Sequence, residues 1–272
     1  MKAHCTFFPI VLGLTIAFST LSSAVEIPGK ASKWNGFDRR DFVHEGLKCI
    51  VILPKSEAQG RPWVWRARFF GHQPQADIAL LKLGFHVCYC EVGGLFGNKE
   101  AVERWNRFHA YLTREHGFSV KPALEGMSRG GLIIYNWAAV NPDKVACIYG
   151  DAPVCDIRSW PGGKGKGKGG GGAWKGALKA HGISEAEAVS APVSPIHKLA
   201  PIAKAKIPLL HVVGAADKVV PVEENSAVIV ERYRKLGGEI KVISKPGVGH
   251  HPHALKDPKP IVDFIRKHTI GS

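Results

Sequence analysis

Residues 126–131 read GMSRGG, and the strand-like Ala123-Leu124 before them and the apolar run LIIYNWAAV at 132–140 after them decide how the whole chain is read. A serine between two glycines, at the point where a strand gives way to a helix, fits the Gly-x-Ser-x-Gly pattern of a nucleophile elbow. Such a turn holds its serine in a strained backbone conformation, and residues two positions to either side must lack a Cβ to clear the neighbouring strand and helix. Gly126 and Gly130 meet that need, and Gly131 adds clearance. The bare pattern also occurs as an ordinary glycine turn, so its weight comes from these flanks.

A serine hydroxyl is a weak nucleophile without a base, and the base needs a carboxylate to fix its tautomer. Both follow downstream. The run Leu209–Val213 leads into GAADKVVP at 214–221, which puts Asp217 just past a strand end, and PGVGHHPH at 246–253 makes a histidine loop before the last helix. Serine, acid, histidine is one of the chain orders such triads take. His250, His251 and His253 all compete for the role of base. Asp217 has a rival in Asp151, which follows the run Val145–Tyr149 and could otherwise cap or brace a loop.

The rest of the chain alternates two periods. Apolar, β-rich runs fall at Cys49–Leu53, Val64–Phe70, Phe85–Cys90, Ala123–Leu124, Val145–Tyr149, Leu209–Val213 and Ile240–Ser244. Helical patterns lie at about Ala76–Leu83, Lys99–His116, Arg129–Val140, Val222–Leu236 and Pro260–His268. This alternation predicts a mostly parallel, twisted sheet with helices on both faces, and its sites at the carboxyl ends of the strands. An insertion at about 158–208 contains short helical pieces near Trp174–His181 and Ser184–Val189. It opens on WPGGKGKGKGGGG at 160–172, a stretch glycine-rich enough to predict an exposed flexible loop.

On GMSRGG at 126, GAADKVVP at 214 and GVGHHPH at 247, the chain resembles the α/β-hydrolase superfamily over almost its whole length. Within it, the nearest likeness is to secreted bacterial serine esterases related to acetylxylan esterases and to the catalytic domain of prolyl oligopeptidases. The resemblance implies an α/β-hydrolase fold with a lid insertion, Ser128 as nucleophile, Asp217 as acid and His250 as base, and no cofactor. It implies a serine esterase; expected export, the tryptophans and the basic insertion together point to an acyl or uronate ester of a carbohydrate as its substrate. A prolyl-oligopeptidase-like peptidase and a non-catalytic binder of acidic glycans are the competing expectations. In glucuronoyl esterases, which also carry Ser-Arg at the elbow, the arginine would add an oxyanion donor, and Arg129 stands at that position.

A tetrahedral intermediate needs two donors aimed at its oxyanion. The backbone N–H of Arg129 is one candidate, and the stretch from Arg66 to Gly71, after the third strand, is the region for the second. No HGGG-type loop of the lipase kind is present. Glu91, just past Phe85–Cys90, is expected near the top of the sheet. Trp160, with Trp63, Trp65 and Trp174, either lines a substrate pocket or packs core and lid. Lys164, Lys166, Lys168, Lys175 and Lys179 make the insertion basic, which reads as solubility or as attraction for an anionic substrate.

With 272 residues, 45% of them hydrophobic and 22% charged, the composition excludes disordered, collagen-like and disulfide-scaffold classes. The formal charge is +14. No nucleic-acid motif, phosphate loop, dinucleotide fingerprint or metal-ligand pair accompanies it. Lys2, the apolar run Phe7–Phe18 and Ser22-Ser23-Ala24 predict a signal peptide over 1–24, a single domain over 25–272, and a secreted or periplasmic protein with no membrane attachment after cleavage. Five cysteines remain past that point, Cys49, Cys88, Cys90, Cys147 and Cys155. The odd number and the alternation of Cys88 and Cys90 predict core residues rather than a disulfide framework.

Overall fold

The computed structural model describes Met1 and residues 26–270, so the expected signal segment, apart from Met1, lies outside the described residues. The chain opens with β1 (Lys30–Trp34), β2 (Phe37–His44), β3 (Leu47–Leu53) and β4 (Trp63–Arg66), then α1 (Gln75–Lys82), β5 (His86–Cys90) and α2 (Lys99–Ala110). Next come β6 (Ala123–Met127), α3 (Gly130–Val140) and β7 (Cys147–Asp151), followed by α4 (Gly171–His181) and α5 (Leu199–Lys204) in the insertion. β8 (Leu209–Gly214), α6 (Ser226–Lys235), β9 (Ile240–Lys245) and α7 (Lys259–Thr269) complete it. Among the described residues these strands form one nine-stranded sheet in the order β1-β2-β3-β5-β4-β6-β7-β8-β9. The stretch from β5 to β9 is parallel, and β1, β2 and β3 join it antiparallel.

The inner strands are apolar on both sides because both faces are covered, as parallel sheets require. Trp63 and Trp65 of β4 point into one layer with Trp105 and Phe108 of α2, Ile133 and Trp137 of α3 and Tyr233 of α6. Val64, between them, points to the opposite layer with Leu80 of α1 and Ile261 and Ile265 of α7. Trp65 stacks on Trp105 at 3.8 Å between ring centroids and meets Trp137 edge-on at 5.1 Å. Trp63 and Trp65 are therefore core residues and line no substrate pocket. All five described cysteines are buried and unpaired.

The structure redraws several expected boundaries. β1 and β2 were not legible as strands: β2 reads FDRRDFVH, whose charged residues hide any alternation. Its turns were more telling, since Asn35-Gly36 and Glu45-Gly46 all have positive φ, the geometry of two-residue hairpins. The expected strand Val64–Phe70 stops at Arg66, and by Phe69 the backbone has turned to φ 53°. The expected helix Val222–Leu236 is broken at Asn225, whose carboxamide accepts from the N–H groups of Cys155 (2.9 Å) and Asp156 (3.2 Å) and donates to Ser159 Oγ (2.9 Å).

The largest correction concerns 160–172, which is not a free loop. Backbone bonds tie Gly162 to Ile157, Gly163 to Ser159, Lys164 to Arg158 and Gly170 to Pro161, and α4 begins within the glycine run at Gly171. Lys164 pairs with Glu185 and Lys166 with Glu223. Trp160 and Trp174 pack with Phe96, Leu132, Val154 and Val220, so the insertion has its own apolar seat beside α3.

Candidate active site

Ser128 sits between the end of β6 and the start of α3 with φ 49°, a left-handed conformation that a serine adopts only where its surroundings impose it. Three backbone bonds hold it there: its N–H donates to Asp151 O (2.8 Å), and its carbonyl accepts from Gly131 (3.0 Å) and Val154 (2.8 Å). The glycines divide the steric task unequally. A Cβ at Gly126 would stand 2.4 Å from Ile134 Cδ1, and one at Gly131 would stand 2.5 Å from Val154 O. At Gly130 it would meet nothing nearer than Ala67 Cβ at 3.5 Å, an ordinary contact. The close approach that the pattern assigns to Gly130 thus falls on Gly131.

The acid and histidine loops are locked together at the ends of β8 and β9. Ala215 N–H donates to Lys245 O (3.1 Å) and Ala216 N–H to Val248 O (2.8 Å). Gly214 allows the crossing, since a Cβ there would lie 2.0 Å from Gly249 O. The result brings together the three residues that the sequence singled out. His250 Nδ1 is 2.7 Å from Asp217 Oδ2, and His250 Nε2 is 3.0 Å from Ser128 Oγ. Asp217 Oδ1 accepts from the N–H groups of Val219 (2.8 Å) and Val220 (2.9 Å). Burial works against its charge, but the hydrogen bonds from His250 and from the Val220 and Val219 amides outweigh it and hold its pKa below the usual aspartate value.

Asp151 does not reach His250. Its carboxylate takes His253 Nδ1 (2.7 Å), the Ala254 N–H (2.7 Å) and the Tyr149 hydroxyl (2.6 Å), all out of water. His251, by contrast, is exposed. Burial first, and then the neighbouring His253 and His250, hold the His251 pKa below its usual value.

A cavity of about 480 Å³ opens beside Ser128, lined by Phe69, Phe70, His72, Met127, Ser128, His250, His251 and His253. His72 was missed in the sequence, where only its place in the loop after β4 could have signalled it. Arg66, by contrast, is not an exposed oxyanion donor through its side chain. The guanidinium is buried, bonded to Asp77 and to the His72 carbonyl, and 3.5 Å from Glu125. Gly130 packs on Ala67 and Arg68, which brings the start of that loop against the elbow. The Arg129 guanidinium lies over the Phe96 ring, 5.5 Å from its centroid. Glu91 accepts from the Tyr89 hydroxyl and the Gly93 N–H (2.8 Å). Neither Glu91 nor Trp160 lines the cavity, and no residue of the insertion does.

The sequence model of the prolyl oligopeptidase family matches residues 97–270, a span that contains Ser128, Asp217 and His250. The chain belongs to the prolyl oligopeptidase family. Its fold is accordingly that of an α/β-hydrolase. No curated protein matches it. Among solved structures it is similar to the acylaminoacyl peptidase of Pyrococcus horikoshii, at 14% identity and a TM-score of 0.63, over 86% of this chain and 42% of that one. A puromycin hydrolase matches at 18% identity and a TM-score of 0.63, over 85% of this chain and 38% of the other. A puromycin-hydrolyzing peptidase of Mycobacterium tuberculosis matches at 15% identity and a TM-score of 0.63, over 81% and 36%. At these identities the likeness establishes the fold, and this chain spans well under half the length of each neighbour.

Proposed function

We propose that this chain is a serine hydrolase, an esterase that accepts an uncharged, largely apolar acyl group. The observation that carries the reading is the cavity beside Ser128, whose lining holds Phe69, Phe70, Met127 and four imidazoles and, among the described residues, no carboxylate, lysine or arginine to bind a charged substrate end. In the proposed mechanism Asp217 holds the Nδ1–H of His250, so that Nε2 faces Ser128 with its lone pair. His250 takes the Ser128 proton as Oγ attacks the ester carbonyl. The tetrahedral oxyanion is met by the Arg129 N–H and by a backbone donor from the loop after β4. Collapse expels the alcohol, which takes the proton back from His250 and leaves an acyl-serine. Water, deprotonated by His250, then releases the acid and restores Ser128.

A carbohydrate as the alcohol portion, and a secreted or periplasmic setting, belong to the same reading and rest on the expected export signal. The buried tryptophans lend the carbohydrate no support. A second reading, hydrolysis of a peptide or aminoacyl amide, is favoured by the family to which the chain belongs. The deciding experiment compares kcat/KM for aryl acetate and butyrate esters with that for an aminoacyl-proline anilide, using Ser128→Ala as control, and then screens acetylated and methyl-esterified polysaccharides. The esterase reading expects the aryl esters to lead by a hundredfold or more, about 3 kcal/mol of transition-state discrimination. Preference for the anilide would replace it with the peptidase reading.

A further inference from the structure

Hydrolysis needs one histidine at Ser128, yet three converge there. One ring nitrogen from each of His250, His251 and His253 lies within 4.8 Å of the other two. The rings meet edge to face, with centroids 5.0 Å apart for His250–His251, 4.7 Å for His250–His253 and 4.8 Å for His251–His253. Two of the three are already oriented by carboxylates: Asp217 takes the Nδ1 edge of His250, and Asp151 takes that of His253. A proton fixed on Nδ1 leaves the Nε2 lone pair free, the arrangement in which carboxylate-backed imidazoles bind metal ions. The third ring, on His251, is exposed.

We propose that His250, His251 and His253 form a site for a single zinc-class divalent ion, and that its occupation blocks the hydrolase. Imidazole nitrogens at about 2.0–2.1 Å from a tetrahedral ion stand about 3.4 Å from one another. The trio must therefore draw together by at most about 1.4 Å per pair: rotation of His251 closes its two distances, and His250 and His253 approach each other by small shifts of their carboxylate-held rings. His72 stands across the cavity, its ring 5.9 Å from that of His253 and 6.3 Å from that of His251. It lies outside the trio, and a water molecule completes the coordination. Blockade follows from the ligand used. The ion takes the same Nε2 lone pair of His250 that lies 3.0 Å from Ser128 Oγ, and the serine loses its proton acceptor. The binding stands on geometry alone, whereas the blockade rests on His250 being the base.

The test is a titration of the chelator-treated full chain with Co²⁺, read by its visible absorption, followed by displacement with Zn²⁺. One ion per chain is expected, with binding weakened at least about tenfold in His251→Ala and in His253→Gln and retained in Ser128→Ala. His251→Ala alters an exposed side chain, and circular dichroism confirms that each variant is folded. Absence of saturable one-to-one binding, or binding equally tight in both histidine variants, overturns the site. The blockade is read as lost labelling of Ser128 by a fluorophosphonate and lost ester turnover, both restored by EDTA. An ion that binds and leaves labelling intact overturns that half. A chain that binds Co²⁺ one-to-one but never labels at Ser128 sinks the hydrolytic reading and leaves the metal site standing.

Discussion

His253 is held by Asp151 at 2.7 Å through its Nδ1 edge, just as His250 is held by Asp217 at 2.7 Å, so two aspartate–histidine pairs stand side by side at the carboxyl end of the sheet. Only His250 reaches Ser128. Asp217→Asn is expected to lower kcat about 10³- to 10⁴-fold, because the tautomer of His250 is no longer fixed. Asp151→Asn should lower kcat by less than about tenfold and act mainly on stability, since its carboxylate braces Tyr149 and Ala254. Steady-state ester kinetics on the two variants check this, and a larger loss in Asp151→Asn would reassign the acid.

The steric asymmetry at the elbow predicts an order of stabilities. Gly131→Ala places a methyl 2.5 Å from a backbone carbonyl and is expected to cost about 1–3 kcal/mol. Gly130→Ala finds only contacts of 3.5 Å and beyond and should be nearly neutral. Urea unfolding of both variants tests the order.

Arg66 lies between two buried acids beneath the elbow: it bonds Asp77 and stands 3.5 Å from Glu125, whose pKa burial holds well above the usual glutamate value. Arg66→Met would leave buried Asp77 without its partner, and a loss of about 3–5 kcal/mol is expected, with soluble protein falling accordingly. If the variant kept its stability and lost only kcat, Arg66 would belong to the chemistry instead.

Burial pushes the His211 pKa down to about 3 and the His86 pKa down to about 4. The unfolded chain therefore binds protons that the folded chain refuses between those values and about 6.5, so stability is full above pH 6.5 and falls as the pH drops through this window. Each group contributes a slope of about 1.4 kcal/mol per pH unit there. His211→Gln should flatten the plot of unfolding free energy against pH by one such increment between pH 4 and 6.

Lys164 and Lys166 are engaged with Glu185 and Glu223, and the insertion does not line the Ser128 cavity. Combined replacement of Lys164, Lys166 and Lys168 by alanine is expected to leave KM for neutral and anionic aryl esters within about twofold. A selective rise for the anionic ester would restore the basic insertion as a substrate-attracting lid.

The sequence by itself determined the sheet's inner strands, whose apolar runs are needed wherever both faces are covered, and it marked Ser128, Asp217 and His250 through local signals: a glycine-flanked turn, a strand end and a histidine loop. It left His250, His251 and His253 in competition, and likewise Asp217 and Asp151. That choice depends on distances between residues 33 to 122 positions apart, which no local pattern encodes. The tertiary structure made it by crossing Gly214 under Gly249, which brings Asp217 to His250 and leaves Asp151 for His253. The same limit explains the misread segments. β2 is stabilised by pairing with β1 and β3 rather than by its own composition. The glycines at 160–172 look like freedom in one dimension, yet in three dimensions they let the chain lie against Glu224, Val219 and Pro221, where a Cβ at Gly165 or Gly167 would crowd them.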